Sequence, residues 1–155
     1  MARKIAVASD HAGYDLKNSV IEYLKSQGGV YEIKDMGTGS SESCDYPDYA
    51  LPAARAVSEG KCDAAILICG SGIGMSITAN KFKGVRAALA CDVERARLSR
   101  LHNDANILCM GARFTDAELA RQMVKVFLET PFEGGRHARR VEKIASIESG
   151  IRKLL

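Results

Sequence analysis

No apolar run in the sequence approaches the roughly 20 residues needed to cross a bilayer, and the opening MARKIAVASDH enters a strand too short for the apolar segment of a secretion signal. A membrane-anchored or exported protein is therefore not expected. Excess charge of one sign is also lacking: 22 lysines and arginines against 19 acids leave a formal net charge of +3. The bases are scattered among the acids, so nucleic acid has little to hold. The five cysteines, Cys44, Cys62, Cys69, Cys91 and Cys109, are odd in number and share no C-x-x-C spacing. That argues against a zinc framework and for free thiols in a reducing compartment, with the cytoplasm as the expected location. Repeats, linkers and disordered tracts are absent as well. What remains is 155 residues, 46% hydrophobic, enough for one domain, 1–155, with a substantial core.

Apolar stretches alternate with amphipathic ones along the whole chain. The pattern predicts strands over residues 4–9, 31–35, 64–69, 85–91 and 106–110. Helices are predicted over 14–27, 48–59, a short stretch ending at Asn80, 93–101 and 116–129. Near-continuous apolar strands, buried on both faces and alternating with helices, indicate an α/β fold: a doubly wound, five-stranded parallel sheet of Rossmann or flavodoxin type, in three layers. Ligands of such sheets bind outside the carboxyl ends of the strands. Those ends carry Asp10 and His11, then Cys69 to Gly74, then Cys91 and Asp92, then Gly111 to Arg113. A further helix over 136–155 places Ile144, Ile147, Ile151 and Leu154 at a spacing of three and four. This apolar stripe needs its own sheet or a second subunit to lie against, and a homodimer is the expected answer.

The most informative segment is Ala64 to Arg86, AAILICGSGIGMSITANKFKGVR, in which a strand ends at Cys69 and runs into a glycine-rich turn that opens a helix. Backbone N–H groups of Gly70, Ser71, Gly72, Ile73 and Gly74 would face any anion placed there, and the same field favours a thiolate at Cys69. A buried free cysteine at a strand end is the plainer alternative. The dinucleotide-binding glycine pattern is incomplete, since Met75 stands where its last glycine belongs.

Arg136, His137, Arg139 and Arg140 crowd the start of the last helix, where cations oppose the helix dipole. Arg136 and Arg140 are one turn apart on one face, shaped to grip a phosphate, although a solvated basic face remains open. His137 lies off that face and is expected at the surface. His11, in SDHAG, can be structural. His102, in LHNDAN, is expected near a helix C-terminus, where the dipole favours it.

Taken together, S-D-H-A-G, D-Y-P-D at Asp45 to Asp48, C-G-S-G-I-G, H-N at His102 and Asn103, M-G-A-R and the paired arginines are similar in order and separation to the type B ribose-5-phosphate isomerases. Their wider family includes galactose-6-phosphate isomerase subunits, and the resemblance spans essentially the whole chain. It implies an aldose-ketose isomerase that interconverts ribose 5-phosphate and ribulose 5-phosphate through an enediolate, without metal or cofactor. Cys69 would be the base, and Gly70, Gly72, Ile73 and Gly74 would hold the enediolate oxygens. Asp10 and His102 would open the furanose, and Ser71 would bind O1 or relay a proton. Asn103 would bind sugar oxygens and Tyr46 would line the ring site. His11, Arg136 and Arg140, with Arg113, would hold the phosphate, and the site would be assembled across a dimer interface, as a dimer or a dimer of dimers.

Some relatives carry serine at the cysteine position and a glutamate base in the loop. Cys69 and Met75 place this chain in the cysteine branch. Ser71 stands where threonine is common, and the missing methyl leaves six-carbon substrates such as allose 6-phosphate or galactose 6-phosphate open. A cysteine phosphatase would want an arginine about six residues past the thiol, where Met75 stands. A non-catalytic nucleotide- or flavin-binding module would want the full glycine fingerprint.

Overall fold

The computed structural model describes residues 1–150. Five strands, β1 (Arg3–Ser9), β2 (Tyr31–Asp35), β3 (Ala64–Cys69), β4 (Ala87–Leu89) and β5 (Ile107–Gly111), form one parallel sheet in the order β2-β1-β3-β5-β4. The helices are α1 (Tyr14–Lys25), α2 (Tyr46–Ser58), α3 (Ile73–Ala79), α4 (Val93–Asn103), α5 (Ala117–Glu129) and α6 (Arg136–Glu148), with a 3-10 turn at His11–Gly13. Among the described residues no helix is long and apolar enough to cross a membrane.

Strand alternation sorts the core into two layers. Ile5, Val7, Ile66, Ile68, Leu108 and Met110 face α1, α4 and α5. Ala6, Ala8, Ala65, Leu67, Cys69 and Cys109 face α2 and α3. α2 meets that second face with Ala50, Ala53 and Ala54, and small side chains on both surfaces let the helix lie close to the sheet. From β1 the chain first builds outward to β2, then returns to the other side of β1 with β3. The carboxyl ends of β1 and β3 therefore flank the point where the winding reverses, the position at which open α/β sheets bind ligands.

The doubly wound parallel sheet follows the periodicity, with differences at its edges. Burial on both faces holds for β1, β3 and β5, whereas β2 and β4 are edge strands and only partly buried. β4 spans three residues instead of 85–91 because it pairs with β5 alone. On its open side the Asn80 amide both donates to the Ala87 carbonyl and accepts from the Ala87 N–H, each at 2.9 Å, replacing a neighbouring strand. α4 continues past Leu101 to Asn103 and ends at Asp104 in a left-handed conformation (φ 46°). Arg86 and Arg100 hold the Asp104 carboxylate at 3.0 and 2.8 Å.

The start of α6 packs on α4, and its Glu148 carboxylate accepts the Gly84 N–H at 2.9 Å from both oxygens. Ile144 and Ile147 stay 49% and 74% exposed. With Val85, Arg86, Asn103 and Ala105 they line an open groove of about 520 Å³. Ile151 and Leu154, the rest of the expected apolar stripe, lie outside the described residues.

Candidate active site

Asp10 directly follows β1 at the reversal point. Its amide donates to the Ile68 carbonyl at 3.2 Å, tying it to β3, and its carboxylate accepts the Gly13 N–H at 3.1 Å. Asp10 is buried as a result, while His11 beside it is exposed. Gly13 has to be glycine, because a side-chain carbon there would sit 2.7 Å from Ile68 Cγ2 and 2.8 Å from its carbonyl oxygen. His11 Nδ1 lies 3.1 Å from the Cys44 carbonyl and 3.2 Å from the Cys44 N–H, so it can donate to the one or accept from the other according to its tautomer.

Cys69 ends β3 and is 4% exposed, and the Gly72 N–H donates to its Sγ at 3.1 Å. Such a donor strengthens as negative charge builds on sulfur. The Ile73 N–H turns to Ser71 Oγ at 3.3 Å, whereas the amides of Ser71 and Gly74 find no acceptor among the described residues. The loop can take this shape because Gly72 adopts φ +78° and because Gly111 of β5 has no side chain to meet the Ser71 backbone, which a Cβ would approach to 2.7 Å. Two side chains close over it. A carbon added at Gly74 would strike the Tyr46 ring at the start of α2, and one added at Gly70 would lie 3.2 Å from the Arg113 guanidinium. Arg113 is fixed in turn by its backbone N–H, which donates to the Gly70 carbonyl at 3.1 Å. Behind Cys69 on the same face lies Cys109, whose thiol burial pushes well above the usual range. Cys109 therefore stays a neutral packing group.

Asp10, His11, Tyr46, Cys69, Gly70, Ser71, Gly72, Ile73, Gly74 and Arg113 are thus gathered at one edge of the sheet. His102, Asn103, Arg136 and Arg140 are not. A helix following a parallel strand runs back against it, so the end of α4 lies beside the strand starts. Arg86 at the entry to β4 accordingly reaches the Asn103 carbonyl at 3.1 Å with Nε. Five residues of β5 separate the two edges, on the order of 15 Å at 3.3 Å per residue. Within one chain the candidate residues therefore fall into two clusters at opposite edges of the sheet.

The second cluster has a member that the sequence placed elsewhere. His137, expected at the surface, is 6% exposed. Its ring stacks on His102 with centroids 4.1 Å apart and planes 8° from parallel. The expectation weighed His137 only against the neighbouring arginines of α6, and the face it occupies is the one that packs on α4. Glu133 Oε2 sits 3.2 Å from His137 Nε2 and 3.6 Å from His102 Nε2. The Glu133–His137 spacing of four residues was visible in the sequence, but its relation to His102 was not. These three groups are the donor types of a zinc site, yet their geometry does not suit one. A metal bound by two imidazoles lies about 2.1 Å from each nitrogen and in both ring planes, and two stacked, nearly parallel planes share no such point.

Residues 5–144 match the ribose/galactose isomerase family. The chain belongs to that family. Ribose-5-phosphate isomerase B of Escherichia coli is 48% identical over 146 residues, which cover 94% of this chain and 97% of that protein. Among solved structures, ribose-5-phosphate isomerase B of Clostridium thermocellum is 50% identical with a TM-score of 0.91, covering 95% of this chain and 98% of that one. The Mycoplasma genitalium enzyme, solved with bound ribulose-5-phosphate, is 41% identical with a TM-score of 0.91, covering 96% of this chain and 98% of that one. The family's fold, a five-stranded parallel sheet between helices, is the fold of this chain.

Proposed function

We propose that this chain is a sugar-phosphate isomerase that interconverts ribose 5-phosphate and ribulose 5-phosphate, with Cys69 as the base. The observation that carries the reading is the Gly72 N–H directed at Cys69 Sγ beside the amides of Ser71 and Gly74, which have no acceptor among the described residues, in a chain of this family. The thiolate removes the C2 proton of the open-chain aldose, and the loop amides of Gly70 to Gly74 stabilise the enediolate oxygens. The proton then returns to C1, while Ser71 relays the O2 proton to O1. Each fixed donor can contribute on the order of 10²- to 10³-fold, and a positioned base about 10²- to 10⁴-fold. Asp10 and His102 open the furanose, Asn103 binds sugar hydroxyls, and Tyr46 lines the ring site. His11, Arg113, Arg136 and Arg140 hold the phosphate. The chemistry assigned to these residues calls for no metal or cofactor.

For these groups to act together, a second copy must bring its α4 end and α6 start to the Cys69 edge. We infer a homodimer of single-domain chains with two shared sites, supported by the separation of the half-sites and by the exposed Ile144 and Ile147 beside an apolar groove. A cytoplasmic location is supported by five free cysteines. The test is conversion of ribose 5-phosphate by the purified protein in excess chelator, with allose 6-phosphate and galactose 6-phosphate alongside. Turnover of ribose 5-phosphate that is lost in Cys69→Ala supports the reading, and turnover retained in that variant overturns the assigned base.

A further inference from the structure

We propose that His137, backed by Glu133, is a positioning residue that holds the His102 ring for opening the furanose and links that step to the phosphate-gripping start of α6; this rests on the function proposed above. Three observations converge on it. The two imidazoles are stacked and nearly parallel, so His137 limits the rotation of His102. His137 Nε2 is buried without an aligned hydrogen-bond partner, an arrangement that packing alone disfavours. A single Glu133 oxygen faces both Nε2 atoms. His137 also occupies the same turn of α6 as Arg136 and Arg140, so a phosphate that orders those arginines orders the ring stacked on His102.

The charges around the pair fit a proton-handling role for only one of its members. Burial first, then His102, pushes the His137 pKa down. Arg136 and Arg140 add to this, while Glu133 opposes it. Glu94, on α4, also feels the charge of His102. A neutral His137 lets His102 take up a proton without a second positive charge stacked against it.

Two readouts separate this role from general structural support. Conversion of ribose 5-phosphate requires ring opening, whereas exchange of the C1 proton of ribulose 5-phosphate with deuterated water starts from an open chain and bypasses that step. His137→Asn should lower ribose 5-phosphate turnover at least about tenfold and change exchange less than about twofold, with His137→Phe, which keeps the stack, restoring most of the loss. Glu133→Gln alters a half-exposed carboxylate and so carries little folding risk. It should lower ribose 5-phosphate turnover more than exchange, because it removes the carboxylate that faces both imidazoles. Equal changes in both readouts for His137→Asn, or no change in either, would overturn the proposal. His102→Asn, run in parallel, distinguishes the two levels. Wild-type turnover in that variant defeats the functional reading of His102 itself, while slow turnover there with normal His137→Asn defeats only the positioning role.

Discussion

Replacing Gly72 with alanine should damage stability and activity together, by amounts the local geometry sets. At φ +78° an L-residue pays about 1–2 kcal/mol of backbone strain. The new Cβ would also lie 2.6 Å from Leu89 Cδ1, 2.7 Å from the Met110 carbonyl carbon and 2.9 Å from its oxygen. Leu89, 43% exposed, can swing aside, but the β5 backbone is fixed in the sheet, and overpacking of that kind costs about 1–3 kcal/mol. The combined loss is about 2–5 kcal/mol, which lowers the melting temperature by roughly 5–20 °C in a chain of this size. Gly84→Ala is the internal reference, since φ there is +73° and nothing lies within 4 Å of the added carbon. It should lose only the strain, roughly 2–8 °C. Thermal unfolding followed by circular dichroism measures both. Activity of Gly72→Ala should fall about 10²-fold as its amide leaves Sγ. Equal melting temperatures for the two variants would refute the claim that β5 braces the loop.

Three further outcomes follow from buried groups. Lys17 is 1% exposed on its side chain and donates to both Asp35 oxygens at 2.7 Å, so Asp35→Ala should cost about 2–4 kcal/mol in urea unfolding while Lys17→Met costs little; equal losses would contradict this. The folded-state pKa of His137 lies below its ordinary 6.5. The unfolded chain therefore binds the extra proton, and stability present above about pH 6.5 falls as the pH drops through that value. His137→Asn should flatten that decline, and an unchanged slope would show that His137 is not its source. Burial raises the thiol pKa of Cys62 and Cys109, so iodoacetamide on the folded protein should label exposed Cys91 and spare both, as read by peptide mass spectrometry.

The strands and helices were legible because their periodicities are strong: AAILIC is buried at every position, and α5 has an apolar face of Ala120, Met123, Val124, Phe127 and Leu128. β4 was overextended because Val85 and Arg86 look like strand residues, and only the side chains of Asn80 and Asn106 reveal where pairing stops. Gly72 and Gly74 were visible as loop glycines, but their partners, β5 and the Tyr46 ring, are 38 and 28 residues away and no local pattern encodes them. His137 was misread for the same reason, since its burial depends on a helix more than 30 residues upstream. That the candidate site divides between opposite edges follows from sheet direction once α4 is placed. Motif order alone does not show it.

Each active site is proposed to join the Cys69 edge of one chain to the His102 end of another. Co-expressing Cys69→Ala and His102→Asn chains under two affinity tags, and purifying the mixed dimer through both, tests it directly. Two-fold symmetry leaves one intact site and one doubly defective site in that species, so ribose 5-phosphate turnover should recover to about half the wild-type rate per dimer, far above either parent. A mixed dimer no faster than its parents would contradict the shared site.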